Sequence, residues 1–155
     1  MSNKNMSNSN SILGMWEDEY GVLFSIDKKT LIKAKPSLEL ETYCIPDGTE
    51  IIGENAFEFC YSLKEIIIPE TVSSIEERTF YGCNSLELIN IPNSVTSIGL
   101  CAFYNCESLK SIIIPKSVVS IGEHAFDCCE SLESITIPVG LTTIGRYAFD
   151  GCKSL

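Results

Sequence analysis

The sequence predicts a repeat solenoid in which each coil is a short β-strand followed by a short helical or 3₁₀ turn, led by an N-terminal β-hairpin cap. Three observations predict it. Pro46, Pro69, Pro92, Pro115 and Pro138 are each 23 residues apart. Leucine (40, 63, 86, 109, 132, 155), phenylalanine (57, 80, 103, 126, 149) and cysteine (60, 83, 106, 129, 152) keep the same step. Ahead of each proline the apolar residues alternate, as in Leu63-x-x-Ile66-x-Ile68, which is the period of a strand.

The elements follow in chain order. Residues 1–11 consist of Ser, Asn, Met and Lys with almost nothing to bury, so they are expected as a disordered tail. Residues 12–39 form the cap region. Within it Val22–Ile26 and Thr30–Lys33 flank Asp27-Lys28-Lys29, the spacing of a hairpin with a polar turn. A lone hairpin is marginal in water, so it is expected to lie on the first coil. Residues 40–155 form the array of about four and a half coils, the last one incomplete.

The unit reads I-P-x-x-V-x-x-I-G-x-x-A-F-x-x-C-x-S-L-x-x-I-x. Proline ends the strand because it cannot donate to a ladder. Val72 and Ile75 supply a second inward pair, and the Gly-x-x-Ala-Phe segment turns the chain. One unit cannot bury its own apolar face, but stacked units place each residue above its twin, about 4.8 Å apart where strands pair. Glu76 stands at the turn-glycine position and Thr79 at the small alanine position, so the second coil is expected to be the least regular.

Ile91-Pro92-Asn93-Ser94-Val95-Thr96-Ser97-Ile98-Gly99, with Ala102-Phe103, Cys106 and Ser108-Leu109, resembles the repeat of the BspA-type leucine-rich repeat family. The resemblance covers residues 40–155 and implies a leucine-rich-repeat-like solenoid. It further implies adhesion or surface display rather than catalysis. One departure is that Thr71, Ser94, Ser117 and Gly140 stand where the general leucine-rich pattern has asparagine, so no asparagine ladder is expected.

Composition narrows the function classes. Asp plus Glu number 21 against 11 Lys plus Arg, a net charge of −10. That argues against a general nucleic-acid binder and against docking on anionic lipid by charge. No apolar run approaches the ~20 residues of a membrane span. Ile12-Leu13-Gly14-Met15-Trp16 runs into Glu17-Asp18-Glu19, so no Sec leader is visible as written. Family members are often surface proteins, whereas this reading leaves a cytoplasmic location open.

Candidate chemistry is sparse. The five column cysteines are read as buried small hydrophobes, because their parallel Cβ vectors would distort the stack if bridged. Cys44 is the expected exposed thiol. Cys101 and His124 occupy the same position in adjacent coils, and Cys128 follows His124 by four, which is one face of a helix. Cys101, His124 and Cys128, with Asp127 as a fourth ligand, are the candidates for Zn²⁺. A Cys101–His124 nucleophile pair is the catalytic counterpart, lacking an orienting group or a cleft. Against both stands a surface column, Asn55, Arg78, Cys101, His124 and Tyr147, that varies freely. The reading taken is no metal, no cofactor and no catalytic residues.

Side chains pointing out of the strands line one broad face: Glu65, Ile67, Leu88, Asn90, Ser111, Ile113, Ser134 and Thr136. A second run, Ser73, Thr96, Val119 and Thr142 beside Ser74, Ser97, Ser120 and Thr143, makes a hydroxyl-rich face. The expected function is a non-enzymatic protein-binding or adhesion module that uses the strand face to engage a protein or cell-surface ligand. The competing reading is an intracellular scaffold, or a fragment of a larger repeat protein, with no dedicated ligand. Leu155 opens a strand that does not continue, so a longer parent chain or end-to-end self-association through the uncapped last coil is expected.

Overall fold

The computed structural model describes residues 11–12 and 14–155, and the expected tail lies outside it apart from Ser11. An antiparallel meander opens the chain: β1 (Ser11–Ile12), β2 (Met15–Glu17), β3 (Leu23–Ser25) and β4 (Thr30–Lys33). The β3–β4 turn is closed by Asp27, whose carboxylate accepts from the Ser25 hydroxyl (2.6 Å) and the Lys29 amide (3.1 Å). Lys28 takes the left-handed conformation there, with φ 60°. The turn residues that suggested the hairpin therefore act through side-chain capping. Trp16 packs on Phe24 at 5.3 Å, under the Lys28 ammonium.

The solenoid carries two strands per coil where the sequence reading assigned one. The first set is β5 (Thr42–Cys44), β7 (Glu65–Ile67), β8 (Leu88–Asn90), β10 (Ser111–Ile113) and β12 (Ser134–Thr136). These pair in parallel as β5-β7-β8 and β10-β12, with residues in strict 23-residue register such as Ile66 against Ile89. The second set is β6 (Ile51–Ile52), β9 (Ser97–Ile98), β11 (Ser120–Ile121) and β13 (Thr143–Ile144). Strand β4 pairs in parallel with β6, so the meander continues the second sheet and covers its first edge. In the second coil Ile75 contributes only single bridges to Ile52 and Ile98. The irregular coil falls where Glu76 replaces glycine.

The helical or 3₁₀ turn is not found: the described residues contain no helix. Two features of the turn segment explain this. Asn55, Arg78, Cys101, His124 and Tyr147 all lie at φ between 52° and 58°, and a second left-handed position follows four residues later at Phe59, Gly82, Asn105, Cys128 and Gly151. A right-handed helix cannot pass through either. The amides also alternate in their partners. Asn55, Phe57 and Phe59 donate to the next coil at Glu77, Thr79 and Tyr81, while Ala56, Glu58 and Cys60 close local turns. Half of the donors a helix would use are spent between coils.

The core is a set of columns. Phe57, Phe80, Phe103, Phe126 and Phe149 stack with centroids 5.1–5.5 Å apart, and Tyr43 begins the row at 5.8 Å from Phe57. The Tyr43 hydroxyl donates to Asp18 at 2.6 Å, tying the cap to the first coil. Cys60, Cys83, Cys106 and Cys129 are buried and Cys152 is partly so. They are more than apolar fillers. Each of the Cys83, Cys106, Cys129 and Cys152 thiols donates to the carbonyl of the phenylalanine 26 residues earlier, at 3.1–3.3 Å. In place of an asparagine ladder, the Thr71 and Ser94 hydroxyls donate to Thr49 and Val72 carbonyls (2.5 Å each), and the series lapses at Ser117, whose buried Oγ finds no partner among the described residues.

Candidate functional site

The pleat of the first sheet sorts its residues by face. Ile66 and Ile112 point inward and are buried, which directs their neighbours at both sides outward. Parallel register then sets Glu65 against Leu88, Ile67 against Asn90, Ser111 against Ser134 and Ile113 against Thr136. All eight strand-face candidates thus share one surface; seven are exposed and Glu65 is half-buried. Its apolar members stand well out: Ile67 is 47%, Leu88 59% and Ile113 71% exposed.

Two recesses interrupt this face. A shallow one of about 220 Å³ lies between β7 and β8, walled by Glu65, Ile67, Leu88 and Asn90. A larger one of about 620 Å³ sits where the chain leaves β10 and β12, formed by Ile113, Thr136, Ile137, Val139, Pro115 and Pro138. Sequence reasoning missed the second recess, although the strand-ending prolines were its signal. The flanks carry Lys64–Glu41 (2.7 Å) and Lys110–Glu87 (3.7 Å) ion pairs, exposed and worth little to stability. The hydroxyl-rich run divides differently: Ser97, Ser120 and Thr143 belong to the second sheet, and Thr96 and Thr142 donate to the preceding coil at Ser73 and Val119.

Cys101, His124 and Cys128 do not assemble as a zinc site. Among the described residues no group of three or more His, Cys, Asp or Glu side chains is placed to hold a metal ion. The i, i+4 argument fails because His124 and Cys128 lie on a left-handed turn and not on a helix. Asp127 is engaged instead. Its buried carboxylate meets His124 Nδ1 at 2.7 Å and accepts from the Cys128 thiol at 3.2 Å. That hydrogen bond, with burial, raises the Cys128 pKa; burial likewise raises that of Cys101, opposed by Arg78. Both shifts run away from the thiolate, which is the nucleophilic form of cysteine. The surface column is also constrained: every member adopts the left-handed conformation.

All eight cysteines are free, and Cys44 is the exposed one. Burial raises the thiols of the core column, Cys60 to about 11 and Cys83, Cys106 and Cys129 further. Among the described residues no helix is long and apolar enough to cross a membrane.

Comparison with solved structures places this geometry among repeat proteins. The chain superposes on a leucine-rich cell surface protein of Faecalibacterium prausnitzii with a TM-score of 0.87 and 33% identity, covering 92% of this chain and 38% of that one. The Treponema pallidum leucine-rich repeat protein gives 0.76 and 28%, covering 85% and 64%. The pneumococcal vaccine antigen PcpA gives 0.80 and 30%, covering 92% and 35%. The chain therefore spans less than two thirds of the length of each. No curated protein matches it. The model of the BspA type leucine-rich repeat region matches six copies over residues 34–155. With the 23-residue register, the stacked phenylalanines and this match, the chain belongs to the BspA-type leucine-rich repeat family.

Proposed function

We propose that the chain is a non-enzymatic protein-binding module that engages a protein or cell-surface ligand through the outward face of its first sheet. The observation that carries the reading is that Ile67, Leu88 and Ile113, set diagonally across three strands of one face, are exposed beside two recesses. Exposed apolar groups contiguous on a fixed backbone mark interaction surfaces, because their binding costs little ordering. The likeness to a cell surface protein of Faecalibacterium prausnitzii supports an adhesive role in a larger surface protein.

The test is adherence of protein-coated beads to epithelial cells, and to purified extracellular-matrix proteins, with the wild-type chain and an Ile67→Ser/Leu88→Ser/Ile113→Ser variant. These side chains are outside the core, so the variant retains the wild-type circular dichroism. Adherence that the variant loses supports the strand face. Adherence equal in both, or absent in both, removes it as the binding surface.

A further inference from the structure

The two sheets of the array end differently at the cap. Strand β4 pairs with β6 and covers the first edge of the second sheet. The first sheet runs β5-β7-β8, and β5 has a neighbour on one side only. The ladder fixes which groups this leaves. The Glu41 carbonyl accepts from the Glu65 amide (2.9 Å) and the Ile45 amide donates to the Ile67 carbonyl (3.0 Å), so alternate residues of the strand face β7. Parallel pairing turns the amides and carbonyls of Thr42 and Cys44 to the opposite edge, where no strand lies among the described residues. Both residues are exposed, and the strand carries neither the proline nor the lysine that commonly blunts such an edge.

A recess of about 370 Å³ opens beside this edge, and Asp18, Glu19, Tyr20, Tyr43 and Cys44 are among its walls. Its charge is negative. The Asp18 carboxylate accepts from the Tyr20 and Val22 amides and from the Tyr43 hydroxyl, all neutral donors. Glu19 raises the pKa of Tyr20, by its charge and then by a hydrogen bond. The neighbouring cations are engaged elsewhere: Lys35 pairs with Glu17 (2.9 Å), Lys64 pairs with Glu41 (2.7 Å) and Lys28 lies over Trp16 (3.9 Å). None of the three walls the recess, and Asp18 and Glu19 have no ion-pair partner among the described residues.

We propose that the β5 edge takes up an extended, basic segment of a partner protein as an added strand. The Thr42 and Cys44 amides and carbonyls supply the ladder, which suits an extended backbone. A helix has no free backbone groups along its length to offer them. Asp18 and Glu19 then select among extended segments, favouring lysine or arginine and repelling acidic side chains.

The contact uses backbone groups at the end of the sheet and not the side chains of Ile67, Leu88 and Ile113, so it stands or falls apart from the strand-face reading. The experiment follows amide hydrogen exchange in isotope-labelled protein with a Lys-Val repeat peptide of about six residues, the length of an ordinary strand, beside a Glu-Val peptide of equal length. The expected result is fast exchange at Thr42 and Cys44 in the free protein, slowed roughly tenfold by about 1 mM of the cationic peptide alone. Cys44→Pro deletes a donor that the fold itself does not use and weakens binding roughly tenfold. Cys44→Ser keeps that donor and binds as the wild type does, as does Ile113→Ser. Protection of both amides in the free protein overturns the proposal, because the chain or a second copy then covers the edge. So does an equal response to the anionic peptide, no slowing at about 1 mM peptide, or unchanged binding in a folded Cys44→Pro chain. Exchange is read on the unaltered protein, so a Cys44→Pro chain that fails to fold leaves the test decisive.

Discussion

Gly122→Ala is the perturbation that reports most directly on how tightly the coils are stacked. A Cβ at residue 122 would stand 2.5 Å from the Gly99 carbonyl carbon and 2.6 Å from both the Gly99 oxygen and the Leu100 nitrogen. Ordinary Cβ contact begins near 3.4 Å, so the two coils must part by close to 1 Å at backbone that has nowhere to rotate. Overpacking of this kind costs about 1–3 kcal/mol. The parting also loosens the Gly122 amide bond to Ile98 (2.8 Å) and the β9–β11 ladder beside it, at roughly 0.5–1.5 kcal/mol per bond. Against this, alanine restricts the unfolded chain, a gain of about 0.4–1 kcal/mol. The net expectation is a loss of about 1–4 kcal/mol. Gly140→Ala is the control, because its Cβ would meet only the Lys116 oxygen at 3.6 Å; it should be neutral or stabilising by about 0.5 kcal/mol. Urea denaturation followed by circular dichroism and by Trp16 fluorescence measures both, and separates array from cap if they melt apart. A Gly122→Ala protein within about 0.5 kcal/mol of wild type, or an equally damaged Gly140→Ala, would refute the close-stacking argument.

Other expectations follow from the same packing. Folding raises the pKa of Cys60, Cys83, Cys106 and Cys129, so the stability these thiols contribute is fully present below their unfolded value and is lost as pH rises above it. One pH unit beyond that value each contributes a loss of about 1.4 kcal/mol, and denaturation at pH 8 and pH 10 should show a fall of several such increments, smaller in Cys106→Val. The Ser94 hydroxyl bonds Val72 while the buried Ser117 hydroxyl is unpaired; Ser94→Ala should therefore cost about 1 kcal/mol and Ser117→Ala should be neutral or stabilising.

What the sequence made legible was the interior. A stacked coil subjects Phe103 or Cys106 to the same surroundings as its twins above and below, so position in the period implies burial and neighbours before any coordinates exist. The β3–β4 hairpin was legible for a related reason, since Asp27 caps its own turn with contacts spanning a few residues. The turn segment was not. Gly-x-x-Ala-Phe reads as helical because Ala and Phe sit comfortably in helices, and nothing in residue type marks Arg78, Cys101 or His124 as left-handed. That conformation is imposed by inter-coil bonds such as Cys101 to Glu123, which no local propensity contains. The second strand was hidden similarly: two-residue ladders at Ser97–Ile98 and Ser120–Ile121 exist only because each has a neighbour in register.

The candidate site was legible in place and not in purpose, and the columns show why. Inside the stack an odd residue must be accommodated: Thr79 is tolerated in the alanine column because its buried hydroxyl turns back to the Glu76 carbonyl at 2.9 Å. Outside it nothing enforces sameness, so the strand face reads Cys44, Ile67, Asn90, Ile113 and Thr136 with no penalty. Freedom from packing is what allows a surface to be shaped for a ligand, and it is also what removes the period from which its role might be inferred. A row of aromatic rings on the turn segments is the partial exception. Phe59, Tyr81, Tyr104, His124 and Tyr147 come from three different positions of the repeat yet meet in one continuous chain of ring contacts. The stacking of identical coils does not by itself require that convergence, because the phenylalanine column already fills the interior.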